Sequence, residues 1–537
     1  MFNVPTVTVA KTTLDSTSDS VTLDYAAPNG VAWTPRHLLV RTNVRATTGT
    51  PNMFVRLNGD TGSNYNIQGL QGYSSSTFAA RGSGVAYFSF PDAIVSTANE
   101  FSSSETLFPD ALSTRSHKSA LSFNGRTEDN VRVAAGRWAS TAAITSITFY
   151  TSAEAFAAGS TFELCVVDES FNIDQDGDGE LILGSDGTFS VGSIGAADGD
   201  LVVIGNLRDA SSNYAQVSTY QLNGDSTATN YNVQKIEGTV SGVSGSSENN
   251  NRFASIVGNT AVTSAYSPTV TQVTNFSDGS NDRVTTTFYG YHAGTGDTYD
   301  ASVGIRTSRW NNTAAITSYV LPLTYESGSM LSTYAVPKNL IERQELGAAA
   351  NITFSDIPQT YDHLELSVYA RSDVSGDVRQ YGVYFNGDTT ISNYERQTFY
   401  ATNTTVAAFQ HSSPVPGIIP GATSTANVFG AQTIILQNYT LTDRHQSALI
   451  LGGYTTRAEI QLSSGRWKNT AAITSIELIV DSPDEFEAGT IVELRGISAT
   501  IAPASNITNV NTIALASIQA MNGITVANAE KLNGITF

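Results

Sequence analysis

Three features of this 537-residue sequence predict an all-β fold: three tandem antiparallel β-sandwich domains, jelly-roll-like, followed by a short C-terminal repeat tail. Charged residues make up only 14% of the chain, and Gly, Ser, Thr and Asn fill the gap, a mixture suited to short strands and many turns. Aliphatic stretches such as His363-Leu364-Glu365-Leu366-Ser367-Val368-Tyr369 alternate with period two, the mark of a strand. A set of motifs also recurs three times in the same order, and long-period self-similarity reveals architecture before any local reading.

Length alone allows roughly three to four domains of about 150 residues. The 23 Phe, 23 Tyr and 4 Trp residues supply core material, which argues against charge-rich disorder, and the composition lacks the Ala, Glu, Lys, Leu and Arg excess of helix bundles. With 28 Lys plus Arg against 48 Asp plus Glu, the formal charge is −20, so the surface repels phosphate backbones and nucleic acid is not an expected partner. Cys165 is the single cysteine, which excludes an intrachain disulfide framework and a cysteine zinc site. No basic, apolar leader opens the chain and no run of about 18 apolar residues occurs, so neither a signal peptide nor a membrane span is expected.

The first repeated mark is Asn-Gly-Asp followed by Asn-Tyr: Asn58-Gly59-Asp60 with Asn64-Tyr65, Asn223-Gly224-Asp225 with Asn230-Tyr231, and Asn386-Gly387-Asp388 with Asn393-Tyr394. The second is Arg-Trp before a Thr-Ala-Ala-Ile-Thr-Ser run, at Arg137-Trp138, Arg309-Trp310 and Arg466-Trp467. The third is an aromatic three positions before a glycine: Phe156 and Gly159, Tyr325 and Gly328, Phe486 and Gly489. Asn58 to Trp138, Asn223 to Trp310 and Asn386 to Trp467 are 80, 87 and 81 residues apart. A period near 160 residues is too long for a solenoid or propeller blade, so each copy is expected to carry its own core. Asn-Gly favours a type I′ hairpin turn, in which both central residues take positive φ.

These marks divide the chain into a first sandwich at 1–168, an acidic Gly-rich linker at 169–191, a second sandwich at 192–337, a third at 338–501 and a tail at 502–537. In the tail, Asn511, Asn522 and Asn533 recur every 11 residues. So short a segment cannot bury a core by itself, which predicts that it attaches to another protein or oligomerises with sibling tails.

Little in the sequence supports catalysis. His37, His117, His292, His363, His411 and His445 show no close metal-ligand spacing, and no nucleophile elbow or phosphate loop appears. Paired carboxylates of the kind used in glycoside hydrolysis are not identifiable from one sequence. Asp174, Asp176 and Asp178, with Gly179, match the opening of a calcium loop, in which alternate carboxylates converge on a hard cation. Position twelve is Ser185 rather than the bidentate Glu, and the competing reading is a solvated acidic linker. Arg-Trp pairs are favoured at binding hot spots, but a Trp repeated before an apolar strand is expected to be a core anchor with its Arg paired nearby. Turn geometry accounts for the Asp of each Asn-Gly-Asp.

The combination Phe385-Asn386-Gly387-Asp388 with Asn393-Tyr394, then Gly465-Arg466-Trp467-x-Asn469-Thr470-Ala471-Ala472-Ile473-Thr474-Ser475, then Phe486-x-Ala488-Gly489-Thr490 resembles modules of virion structural proteins of tailed bacteriophages. The third copy, including Ile357-Pro358-Gln359-Thr360-Tyr361, fits best; the first departs there with Trp33-Thr34-Pro35-Arg36, and the second has largely lost that lead-in. The Asn-Gly-Ile-Thr repeats look like segments at the ends of phage appendage proteins. The resemblance implies a non-enzymatic head-decoration or fibre protein on the exterior of the virion, made in the host cytoplasm. Its partners would be other virion proteins, reached through the tail, and host surface glycans, with a homo-oligomer, a trimer for a fibre, as the expected assembly. The alternatives are a tail-spike depolymerase acting on host polysaccharide and, disfavoured by the missing export signal, a secreted surface adhesin.

Overall fold

The computed structural model describes residues 2–497 except 3, 29–30, 32, 91–93, 127–128, 174–180, 196–198, 275, 278–281, 295–300, 338, 427, 455–458 and 481–482, together with four two-residue strands between 520 and 536. The first copy contains β1 (Thr6–Thr13), β2 (Ser20–Asp24), β3 (Leu38–Val44), β4 (Met53–Leu57), β5 (Tyr65–Tyr73), β6 (Ser76–Val85), β7 (Ser102–Phe108), β8 (Lys118–Arg126), β9 (Asn130–Trp138), β10 (Ser146–Thr151) and β11 (Thr161–Val167). Eight of them form one antiparallel sheet in the order β1-β11-β3-β7-β8-β9-β5-β6, and β2-β10-β4 form the facing layer. The pairs β3 with β11, β4 with β10 and β5 with β9 are nested. The chain thus folds back as one long hairpin wrapped over two layers, the jelly-roll principle.

The same eight-strand order recurs twice. In the second copy it runs Leu181–Ile182, Met330–Pro337, Gly199–Asp209, Ser267–Val273, Arg283–His292, Ala301–Trp310, Tyr231–Thr239, Gly242–Glu248. In the third it runs Leu340–Glu345, Ile491–Ile497, His363–Ala370, Gly430–Gln437, Gln446–Tyr454, Glu459–Trp467, Tyr394–Thr402, Thr405–His411. The only helical elements among the described residues are three short 3-10 turns. Part of the span read as a linker at 169–191 belongs to the second sandwich. Leu181–Ile182 and Gly187–Val191 pair with its strands, and Phe189 and Val191 enter its core.

Each sandwich has its own apolar centre, around Trp138, Trp310 and Trp467 respectively. A further core belongs to all three: Leu70, Phe123 and Val133 of the first copy meet Ile236, Phe288 and Ile305 of the second and Phe399, Leu451 and Leu462 of the third. Period two explains how one strand feeds both centres. In β9, Val131, Val133 and Ala135 face the shared core, while Ala134 and Trp138 face the copy's own. Hence β8, β9 and Glu459–Trp467 are buried along their whole length.

The copies are arranged cyclically. Gln68 donates to the carbonyl of Thr239 (3.4 Å), Gln234 to that of Asn403 (3.1 Å) and Gln397 to that of Ser74 (3.0 Å). One contact repeated from copy one to two, two to three and three to one defines a pseudo-threefold axis. The tips of the hairpins β5–β6, 231–248 and 394–411 meet around it. There the chains approach so closely that a Cβ on Gly72 would lie 2.7 Å from Cβ of Phe399. This is a single-chain pseudo-trimer rather than a string of beads.

Candidate functional site

The repeated motifs build a structural cross-link, identical in each copy. Asn58 and Gly59 have φ of 52° and 66°, and their counterparts Asn223, Gly224, Asn386 and Gly387 match them. The turn is closed by the Asp60 N–H on the Leu57 carbonyl (3.0 Å). It makes no hairpin, because β4 lies in the small layer and β5 in the large one; it is the corner where the chain changes layer.

The Asn amide ties this corner to the Thr-Ala-Ala-Ile-Thr-Ser segment: Asn58 donates to Ala143 O (2.8 Å) and accepts from Thr145 N (2.8 Å). Asn223 and Asn386 repeat both bonds. The Trp indole N–H donates to the Asp: Trp138 to Asp60 (2.7 Å), Trp310 to Asp225 (2.8 Å) and Trp467 to Asp388 (2.8 Å). Burial alone would raise these carboxyls, but the indole, the Asn side chain and a backbone N–H hold all three below their ordinary value. The Trp is therefore a core anchor. Its Arg neighbour finds a partner in each copy: His117 at 3.0 Å for Arg137, Asp282 for Arg309 and Glu395 for Arg466. Replacing Trp310 by Phe should cost about 1–3 kcal/mol, from a lost charge-assisted hydrogen bond and lost buried volume. A shift of the urea midpoint at constant slope measures it, and the same change at Trp138 or Trp467 should cost a similar amount.

Histidines also serve as structure. His37 accepts from the Asp110 N–H at Nδ1 (3.0 Å) and meets the Ser332 hydroxyl of the second copy at Nε2 (3.2 Å). His363 accepts from the Asn438 N–H (3.0 Å) and meets Glu163 of the first copy (3.0 Å). At the corresponding seam between copies two and three, Asp200 binds Arg495 (2.9 Å). The thiol of Cys165 is buried, and burial raises it well above its usual value. Asp174, Asp176 and Asp178, the candidate calcium ligands, lie outside the described residues. Among the described residues, no group of three or more His, Cys, Asp and Glu side chains is placed to hold a metal.

Two concavities stand out among the described residues. A small one of 180 Å³ sits where the three copies meet near the first and last strands, and it holds Arg41, Glu105, Glu365 and Arg495. It lies below the roughly 300 Å³ of ordinary ligand sites, and its charges face one another: Arg41 binds Glu105 (3.0 Å), and Arg495 lies 3.6 Å from Glu365.

The larger, 840 Å³, is a cleft of the third copy between its two layers, with Val378, Arg379 and Gln380 on one wall and Tyr400, Glu459 and Gln461 on the other. Strand Val378–Phe385 forms one wall, its first residues pairing with Ile418–Pro420. Tyr400 and Phe409 stand with ring centroids 5.9 Å apart at 70°, and Arg379 is bound to Asp484 (2.8 Å).

Strand register fixes which end this is. Thr402 pairs with Glu459 at the cleft end, while His363 pairs with Ile497, the last described residue of the sandwich, at the other. Sequence reasoning missed the cleft. It also missed Gln68, Gln234 and Gln397, although each stands three positions after the Tyr of an Asn-Tyr mark.

No family model matches the chain, and no curated protein matches it. Among solved structures, the crystal structure of the LG1-3 region of the laminin alpha2 chain aligns at 7% identity over 91% of this chain and 97% of that one, with a TM-score of 0.15. Domains LG4-5 of the mouse laminin alpha1 chain align at 9% identity over 61% and 91%, with a TM-score of 0.14. Superpositions of this quality carry no functional argument.

Proposed function

We propose that this chain is a non-enzymatic structural protein of the tailed-bacteriophage virion, a head-decoration or fibre component attached through its C-terminal repeats. The observation that carries the reading is polarity along the pseudo-threefold axis. The chain leaves the body towards the repeats at the strand end marked by Ile497, and the cleft and hairpin tips lie at the opposite end. An appendage needs that division between an anchored end and a presented end. Fusing three sandwiches around one core gives a trimer-like body that does not dissociate on dilution, which suits a particle exposed outside the cell.

In the tail, Ala520–Met521 pairs with Ile524–Thr525, and Lys531–Leu532 with Ile535–Thr536. Such two-residue ladders are too small to stand alone, so a partner surface must complete them. Among the described residues that line the cleft, Glu459 is the one carboxylate, whereas glycoside hydrolysis uses two; this favours binding over the depolymerase reading.

Peptide mass spectrometry of gradient-purified particles whose genome encodes the chain should detect it at structural abundance, and its absence from intact particles would refute the proposal. Light scattering of the full chain beside a version ending at Ala502 separates its two forms. A trimer that becomes a monomer on truncation indicates a fibre, and a monomer in both cases indicates docking to another virion protein.

A further inference from the structure

We infer that the cleft of the third copy is a binding site for a neutral oligosaccharide. This deepens the proposed attachment role and rests on it, but its test is independent of particle association. Three observations converge. The volume of 840 Å³ falls in the upper part of the roughly 300–1,000 Å³ range of small-molecule sites, room for an extended chain of sugars rather than one ring. The lining sets two aromatic rings, Tyr400 and Phe409, beside the amides of Gln380 and Asn403. That is the pairing a pyranose needs, because its C–H face packs on an aromatic ring while its hydroxyls exchange hydrogen bonds with amides.

Charge sets the class. The guanidinium of Arg379 already pairs with Asp484, and Glu459 is an acceptor suited to neighbouring hydroxyls. Arg379 is the one cation among the described residues that line the cleft, and the net charge of −20 further disfavours anionic glycans. One shallow site per chain gives weak binding, which multiple copies on a particle would turn into firm adhesion.

The test uses the full chain and saturation-transfer NMR against a panel of neutral tetrasaccharides built from glucose, galactose, mannose, xylose or rhamnose, beside uronate-containing counterparts. At least one neutral member should bind saturably. Tyr400→Ala should weaken it roughly three- to tenfold, the size of one lost aromatic contact. Thr405→Arg, at an exposed position on the rim, should abolish binding by obstruction without touching a core. Tyr73→Ala, on the matching hairpin of the first copy, should leave binding unchanged. Failure of every neutral member to bind, preference for the uronates, or binding that survives Thr405→Arg would each overturn the assignment. None of these outcomes bears on whether the protein is found in particles.

Discussion

Replacing Arg495 by Met should destabilise the protein by about 3–5 kcal/mol, the cost of leaving buried carboxylates without their cation. Arg495 sits at the seam between the second and third copies, 4% exposed. It donates to Asp200 at 2.9 Å and to Glu493 at 2.6 Å, and lies 3.6 Å from Glu365. Asp200 is wholly buried and also accepts from Ser367 and Gln272, each at 3.3 Å. Burial already pushes the Glu365 carboxyl above its ordinary range, so losing the guanidinium falls hardest on Asp200 and Glu365, whereas Glu493 keeps Arg343 at 3.4 Å.

The double change Arg495→Met with Asp200→Leu should recover a large part of the loss, because removing a buried pair together costs far less than removing one partner. Urea unfolding of both variants, with limited proteolysis to find where the chain opens, is the measurement. A single variant within 1 kcal/mol of the parent, or a double variant no better than the single, would show that the seam is not held by this network.

The seams explain which parts of the fold were legible in the sequence. The copies, their order and their sandwich character follow from marks that each tie one copy together: the Asn58 corner, the Trp138 to Asp60 bond and the strand periodicity. What periodicity could not distinguish is water from a sister domain. In His363–Ala370, Leu364, Leu366 and Val368 face the copy's own core, while the alternate positions His363, Glu365 and Ser367 read as a solvated face and are in fact buried between copies. Polar residues on a buried seam leave the same pattern as polar residues in solvent, because both break an apolar run with period two. Gln68, Gln234 and Gln397 could have been found, since their spacing from the Asn-Tyr mark is invariant, but nothing in that spacing says that the acceptor lies in the next copy. The cleft was beyond reach for a different reason. It is a space between the two layers of one copy, set by how strands such as Val378–Phe385 and Ile418–Pro420 pair rather than by local preference.

Acid should loosen the seam between copies one and two. His37 is completely buried, and burial, with Arg36 and Arg115 adding to it, lowers its imidazole from 6.5 to about 3. Geometry agrees: Nδ1 is occupied as the acceptor of the Asp110 N–H and Nε2 faces the Ser332 hydroxyl, so a second proton has no place without breaking a bond. Glu169, 4.0 Å from Nε2, pulls the other way without offsetting the burial. Below pH 6.5 the unfolded chain takes up a proton that the folded one refuses, so stability is complete above pH 6.5 and falls steadily towards pH 3. At pH 5 the loss from this residue alone is about 2 kcal/mol. Glu105 acts in the same direction lower down. Burial would raise its carboxyl, but the amino terminus and Arg41 hold it at about 2, so its contribution is present above 4.5 and lost as the pH falls through 2. The expected result is an unfolding midpoint flat from pH 8 to 7 that declines from about pH 6.5, before any carboxylate titrates. His37→Asn keeps an acceptor for Asp110 and should make the upper limb of that decline shallower while lowering stability at pH 7; the remainder belongs to His117, which burial lowers to about 4. A parent protein as stable at pH 5 as at pH 7, or a variant with the same slope as the parent, would mean that His37 does not set the acid limit of the pseudo-trimer.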